Sequence, residues 1–180
     1  MLTQLEQAGK VVGVKQTRRA LRDGRAKAVF LALGITREKL YPGEGEYLGR
    51  GVSYCATCDG EFFTGKEVFV VGGGDAAVEE AIFLTKFARK VTIIHRRDQL
   101  RAAKSIQEKA FKNPKLFFLW DSVVEEVSGE DVLNRMIVKN VKTGELTTYE
   151  ADENDGLFGL FGFIGMNPNS GLFEGMVDMD

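Results

Sequence analysis

The chain has 180 residues, 44% of them hydrophobic, with 24 basic and 26 acidic side chains and a net charge of -2. That is enough apolar material for one core of ordinary size, alone or with an appendage, and the near-cancelled charge excludes a general polyanion or anionic-membrane binder. No uncharged apolar stretch reaches the roughly 18 residues of a spanning helix, and the first residues lack a signal-peptide core, so the cytoplasm is the expected compartment.

Taken in chain order, a basic amphipathic stretch leads to a short expected strand, Ala28-Val29-Phe30-Leu31, and a turn at Pro42-Gly43. Both cysteines of the chain then fall in one run, Cys55-Ala56-Thr57-Cys58-Asp59. Beyond Lys66, short β-rich runs alternate with amphipathic segments, the pattern of a sheet with crossover helices. Val68 to Val71 predicts a strand, about Asp75 to Ala88 a helix, Val91 to Ile94 a second strand, about Asp98 to Phe111 a second helix, and Leu116 to Leu119 a third parallel strand. After Trp120 the texture becomes alternating through Val123, Val127, Met136-Ile137-Val138 and Leu146 to Tyr149, which predicts an antiparallel hairpin with a turn near Lys142-Thr143-Gly144-Glu145. The apolar run Leu157 to Ile164 predicts a last strand. The fold class is therefore α/β: a Rossmann-like three-layer domain with a parallel sheet and an antiparallel hairpin.

Gly72-Gly73-Gly74-Asp75-Ala76-Ala77 forms a GxGxxA loop at a strand-to-helix junction. Gly72 permits the tight turn, Gly74 lets backbone N–H groups approach a pyrophosphate, and Ala77 allows close packing of helix on sheet. The positive end of the helix faces the phosphates. Where an acid would accept the ribose 2′-hydroxyl of NAD, the chain has His95-Arg96-Arg97. Arginines there pair with a 2′-phosphate, which favours NADPH, and Arg101, four residues beyond Arg97, would complete the clamp from the same helical side. The alternative is a solvated basic helix start. His95, the single histidine, is read as a neighbour of phosphate or adenosine rather than a base.

A CxxC cysteine attacks as a thiolate when its pKa is lowered, and the second thiol resolves the mixed disulfide. Asp59 follows directly and is placed to protonate a leaving thiolate. A zinc site needs four ligands, more than two cysteines and one distant histidine supply.

The stretches Gly49 to Gly60, Val71 to Ala81 and His95 to Ala102 closely resemble the low-molecular-weight thioredoxin reductases, and the resemblance runs from about Ala26 to the C-terminus. It implies an NADPH-binding domain inserted into a flavin-binding domain, with electrons passing from NADPH through FAD to the CxxC disulfide and on to thioredoxin. By that resemblance Cys58 faces the flavin, Cys55 attacks thioredoxin and Asp59 donates the proton, while Gly72, Gly73, Gly74, Asp75, Ala76, Ala77, His95, Arg96, Arg97 and Arg101 hold NADPH. It also implies a homodimer or a complementing flavin domain, and a return segment at Gly165 to Asn169.

Departures accompany the resemblance, among them Ala76 where the family has a serine and the Phe-Gly repeats from Leu157 to Phe163, which look like a small insertion in a strand. The GxGxxG that opens the family's flavin domain and the Gly-Asp segment that closes it are absent, and Ala32-Leu33-Gly34 stands where the family reads Ala-Thr-Gly. The expected division is residues 1–48 as a partial flavin-domain segment, 49–165 as the NADPH-binding domain with CxxC, and 166–180 as the return segment. One alternative function follows, a truncated NADPH-binding module lacking a complete flavin site. Another rests on residues 1–30, where Gln7 to Thr17 and Ala26 to Val29 resemble the opening of small kink-turn RNA binders.

Overall fold

Val, Ile and Phe dominate the short runs after Lys66, and burial on both faces is what lets a strand be apolar at consecutive positions. The computed structural model describes residues 41–164, which lie within one compact unit, Glu38–Gly165. The elements in order are β1 (Val52–Ser53), α1 (Ala56–Asp59) running into a 3-10 turn (Gly60–Phe63), β2 (Glu67–Val71), α2 (Asp75–Leu84), β3 (Lys90–Ile94) and α3 (Lys104–Phe111). They continue with β4 (Leu116–Leu119), β5 (Ser122–Gly129), β6 (Leu133–Asn140), β7 (Leu146–Glu150) and β8 (Gly159–Gly162).

Five strands form a parallel sheet in the order β1-β8-β2-β3-β4, and three form an antiparallel sheet in the order β5-β6-β7. Successive residues of β2 point into two different cores. Val68 and Val70 join Ala77, Val78, Ala81 and Leu84 of α2, whereas Phe69 and Val71 join Val124, Met136 and Val138 of the antiparallel sheet. Period-2 alternation thus places helices on one face of the parallel sheet and the antiparallel sheet on the other. This is the three-layer α/β arrangement that the sequence pattern predicts.

Several boundaries differ from expectation, each for a physical reason. Helix α2 stops at Leu84 rather than Ala88, because the chain tightens into turns in which Phe87 and Ala88 N–H both donate to the Leu84 carbonyl. Helix α3 begins at Lys104, not Asp98. The donors of Arg101 and Ala102 are spent on the Gly73 carbonyl, and that of Ala103 on the Asp75 carboxylate, so the segment crosses to the glycine loop instead of coiling. Arg97 and Arg101 therefore share no helical side. The expected hairpin is a three-stranded meander, with β5 bulged between Val124 and Glu126.

The last strand, β8, inserts between β1 and β2, pairing Leu160 with Val52 and with Phe69. The end of the described chain thus holds the dithiol's strand against the glycine loop's strand. The expected strand Ala28–Leu31 and the kink-turn-like residues 1–30 lie outside the described residues. No described helix is long and apolar enough to cross a membrane.

Phe161, fully buried in β8, meets the Phe63 ring edge-on at 5.5 Å. Phe161→Ala is expected to cost about 3–5 kcal/mol, read as a lowered urea midpoint with an unchanged slope.

Candidate active site

The C-terminal ends of β2 and β3 lie side by side in register, Val71 opposite Ile94, and the sequence motifs follow directly from both ends. Gly72 has φ +148°, and a Cβ there would stand 2.7 Å from that of Ala77 and 2.8 Å from the Phe163 carbonyl. Only glycine fits that turn, because the backbone is left-handed there and both Ala77 and the Phe163 carbonyl crowd the Cβ position. A Cβ on Gly73 would strike the His95 ring at 2.3 Å, whereas the space beyond Gly74 is open. Gly74 caps α2 without a side-chain bond, and among the described residues no side chain takes the first N–H groups of the helix. The loop is closed where the protein packs against it and open where a phosphate would approach.

Asp75 turns its carboxylate outward rather than back onto its own helix: Oδ1 accepts the Ala103 N–H at 2.7 Å. The Gly73 carbonyl accepts Arg101 N–H at 2.7 Å and Ala102 N–H at 3.1 Å. Gln107 Nε2 holds the Ala102 carbonyl at 2.7 Å. This latch returns Arg101 to the loop by backbone bonds where the sequence suggested helical spacing. On the other side Asp121 N–H donates to the Arg97 carbonyl, and Lys142 Nζ pairs with Asp98 and Asp121 at 3.4 and 3.0 Å. Arg96, Arg97 and Arg101 are exposed, and among the described residues none of the three is paired with a carboxylate. Lys142 was silent in the sequence because it sits in a turn of the other sheet.

His95 is 6% exposed, edge-on to Trp120, and its Nε2 has no hydrogen-bond partner. Burial holds the imidazole below its ordinary pKa; a hydrogen bond to the Gln99 backbone opposes this, and the charges of Arg101, Arg97 and Arg96 reinforce it. A neutral ring packed on the Gly73 backbone is the result.

Cys55 and Cys58 form a disulfide just past the end of β1. Cys55 caps α1, its carbonyl accepting Cys58 N–H at 3.2 Å and Asp59 N–H at 3.1 Å. Asp59 receives the Ser53 hydroxyl at 2.6 Å, a contact that the motif did not reveal. Because β1 and β2 are separated only by β8 and run parallel, both motifs open on the same end of the sheet, where ligands of such sheets gather. Among the described residues no hydrogen bond or ion pair joins the dithiol to the glycine loop or the arginines. The fold brings together Gly72 to Ala77, His95, Arg96, Arg97 and Arg101 as one group, and Cys55, Cys58 and Asp59 as another.

A family model for pyridine nucleotide-disulphide oxidoreductases matches residues 2–179. The chain belongs to that family. Within it, the sequence is 60% identical over 157 residues to a thioredoxin reductase of Peptoclostridium acidaminophilum, covering 87% of this chain and 50% of that protein. It is 51% identical over 155 residues to the thioredoxin reductase of Bacillus subtilis (strain 168), covering 84% and 47%. Among solved structures, the thioredoxin reductase of Streptococcus pyogenes MGAS5005 superimposes with a TM-score of 0.72 at 51% identity, over 80% of this chain and 45% of that one. The chain spans about half the length of the curated relatives it matches. The resemblance carried by the three motif stretches is therefore borne out as kinship with the pyridine nucleotide-disulphide oxidoreductases.

In this family member the depressed His95 has a stability consequence whose sign is set by linkage. As pH falls below the ordinary histidine range the unfolded chain takes up a proton before the folded one, so the contribution is present above that range and is lost as pH falls through the folded value. His95→Gln is expected to flatten the fall in melting temperature between about pH 7.5 and about pH 5.5, around the ordinary histidine pKa, in calorimetric scans.

Proposed function

We propose that this chain carries the NADPH-binding and dithiol-bearing part of a thioredoxin-disulfide reductase. The observation that carries the reading is one parallel sheet whose C-terminal edge presents an open glycine loop, three arginines that pair with no carboxylate among the described residues, and a Cys55–Cys58 disulfide. In this reading residues 49–165 are the NADPH-binding domain, with 1–48 and 166–180 belonging to a flavin domain. Its partner is thioredoxin, it acts as a homodimer or with a complementing flavin domain, and it works in the cytoplasm.

The residues present fit NADPH. The open space at Gly74 and the first N–H groups of α2 suit a pyrophosphate. Arg96, Arg97 and Arg101 suit the adenosine 2′-phosphate, and the buried His95 ring packs against the glycine loop at Gly73. Among the described residues none is assigned to FAD.

When bound, NADPH would supply two electrons as a hydride, and FAD would be the group through which that pair reaches the disulfide. The chain's own part is to fix the dinucleotide on Gly72 to Ala77, to hold the 2′-phosphate with the arginines, and to keep two sulfurs in one turn. In this reading Cys55 would be the sulfur that attacks the thioredoxin disulfide, Cys58 the one toward the flavin, and Asp59 the group that moves the proton to and from the departing thiolate.

Arg96→Ala and Arg97→Ala are each expected to weaken NADPH binding at least about tenfold in calorimetric titration while leaving NADH nearly unchanged, and equal losses for both coenzymes would refute the 2′-phosphate role. With FAD supplied, NADPH-dependent reduction of thioredoxin is expected to vanish in Cys55→Ser and in Cys58→Ser. Undiminished turnover in the doubly substituted chain would overturn the dithiol reading.

A further inference from the structure

The serine that ends β1 stands between the two halves of the dithiol motif. Ser53 is 3% exposed, and its Oγ donates to Asp59 Oδ2 at 2.6 Å while accepting the Cys55 N–H at 3.1 Å. A third neighbour, the Cys55 carbonyl, lies 3.5 Å away. A hydroxyl has one proton and two lone pairs, which matches this set of partners in two ways. With Asp59 ionised, the proton points at Oδ2. With Asp59 protonated, the carboxyl donates to Oγ, and the hydroxyl proton turns to the Cys55 carbonyl. The Cys55 N–H bond is the same in both states, and no heavy atom has to move.

We propose that Ser53 is a positioning residue for the dithiol, holding the Asp59 carboxyl in place through both of its protonation states. The proposal rests on the reading of Asp59 as proton donor given above. A carboxyl anchored before and after proton transfer needs no reorganisation as the sulfur leaves. A cleft of about 220 Å³ lined by Gly51, Ser53, Asp59, Phe62 and Phe63 gives the pair a face on which protons are exchanged with solvent. The competing role is an ordinary side-chain turn, in which Ser53 only satisfies the Cys55 N–H.

The two roles separate in a reaction that needs no nicotinamide, flavin or thioredoxin: reduction of the Cys55–Cys58 disulfide by dithiothreitol, followed as free thiol. The reagent's thiolate bonds to Cys55 Sγ, the Cys55–Cys58 bond breaks, and its electron pair leaves on Cys58 Sγ, which takes the Asp59 proton. The reagent's second thiolate then attacks the mixed disulfide, frees Cys55, and departs as the oxidised cyclic disulfide, so two electrons have passed to the protein.

Asp59→Ala is expected to slow this reduction about tenfold or more, and Ser53→Ala about three- to tenfold. Because Ser53 acts through Asp59, the double variant should be no slower than Asp59→Ala alone, and Ser53→Thr, which keeps the hydroxyl, should recover most of the rate. Circular dichroism on each variant confirms that it is folded. A wild-type rate in Ser53→Ala, the same Ser53→Ala loss in both backgrounds, or a folded Ser53→Thr as slow as Ser53→Ala would overturn the proposal while leaving Asp59 its role. A wild-type rate in Asp59→Ala would remove the proton-donor reading and this proposal together.

Discussion

The carbonyl of Gly73 accepts two backbone N–H groups, from Arg101 and Ala102, and much of the candidate nucleotide site depends on that one acceptor. A buried polar group left unpaired costs more than a paired one gains, so the segment after β3 is held against the glycine loop instead of starting a helix. The acceptor is available because Gly73 lies flat under the His95 ring, where no side chain fits. Asp75 adds a charge-assisted bond to Ala103, and Lys142 ties the other end of the segment to Asp98 and Asp121. The exposed Lys142 pairs add little energy by themselves. Among the described residues the arginines have no acidic partners of their own, while the backbone beneath them is pinned at both ends.

The dithiol is organised by a smaller version of the same principle. Cys55 places its carbonyl under the N–H groups of Cys58 and Asp59, and Ser53 returns a hydroxyl to the Cys55 N–H. Three local hydrogen bonds at one end of a short helix thus bring two sulfurs and a carboxylate into one turn. Strand β8 fixes that turn relative to the rest of the sheet, since it pairs with β1 on one side and β2 on the other. Among the described strands, one from the far end of the unit thereby lies between the two candidate sites in the sheet order.

Family membership and local chemistry answer different questions. The match across residues 2–179 establishes the pyridine nucleotide-disulphide oxidoreductase family, and the identities of 60% and 51% lie with thioredoxin reductases. The chain spans about half the length of those relatives, and the proposed electron path rests on the sheet edge that carries the glycine loop, the arginines and the disulfide.

By itself the sequence determined what depends on neighbours along the chain. The β-rich runs and their spacing set the α/β class, the order of strand, glycine loop and helix, and the pairing of two cysteines in one turn, because each follows from side-chain period or from a few adjacent torsions. It also singled out Arg96 and Arg97 by their position after β3. Only the tertiary structure decided how Arg101 reaches the loop, since three donors that a helical reading assigns to a coil are spent on Gly73 and Asp75. It alone decided that β8 lies between β1 and β2, that Lys142 braces the arginine segment, and that Ser53 meets Asp59. Long-range pairing has no periodic signature, so the contacts that join distant parts of the chain are settled by which polar groups burial leaves to be paired.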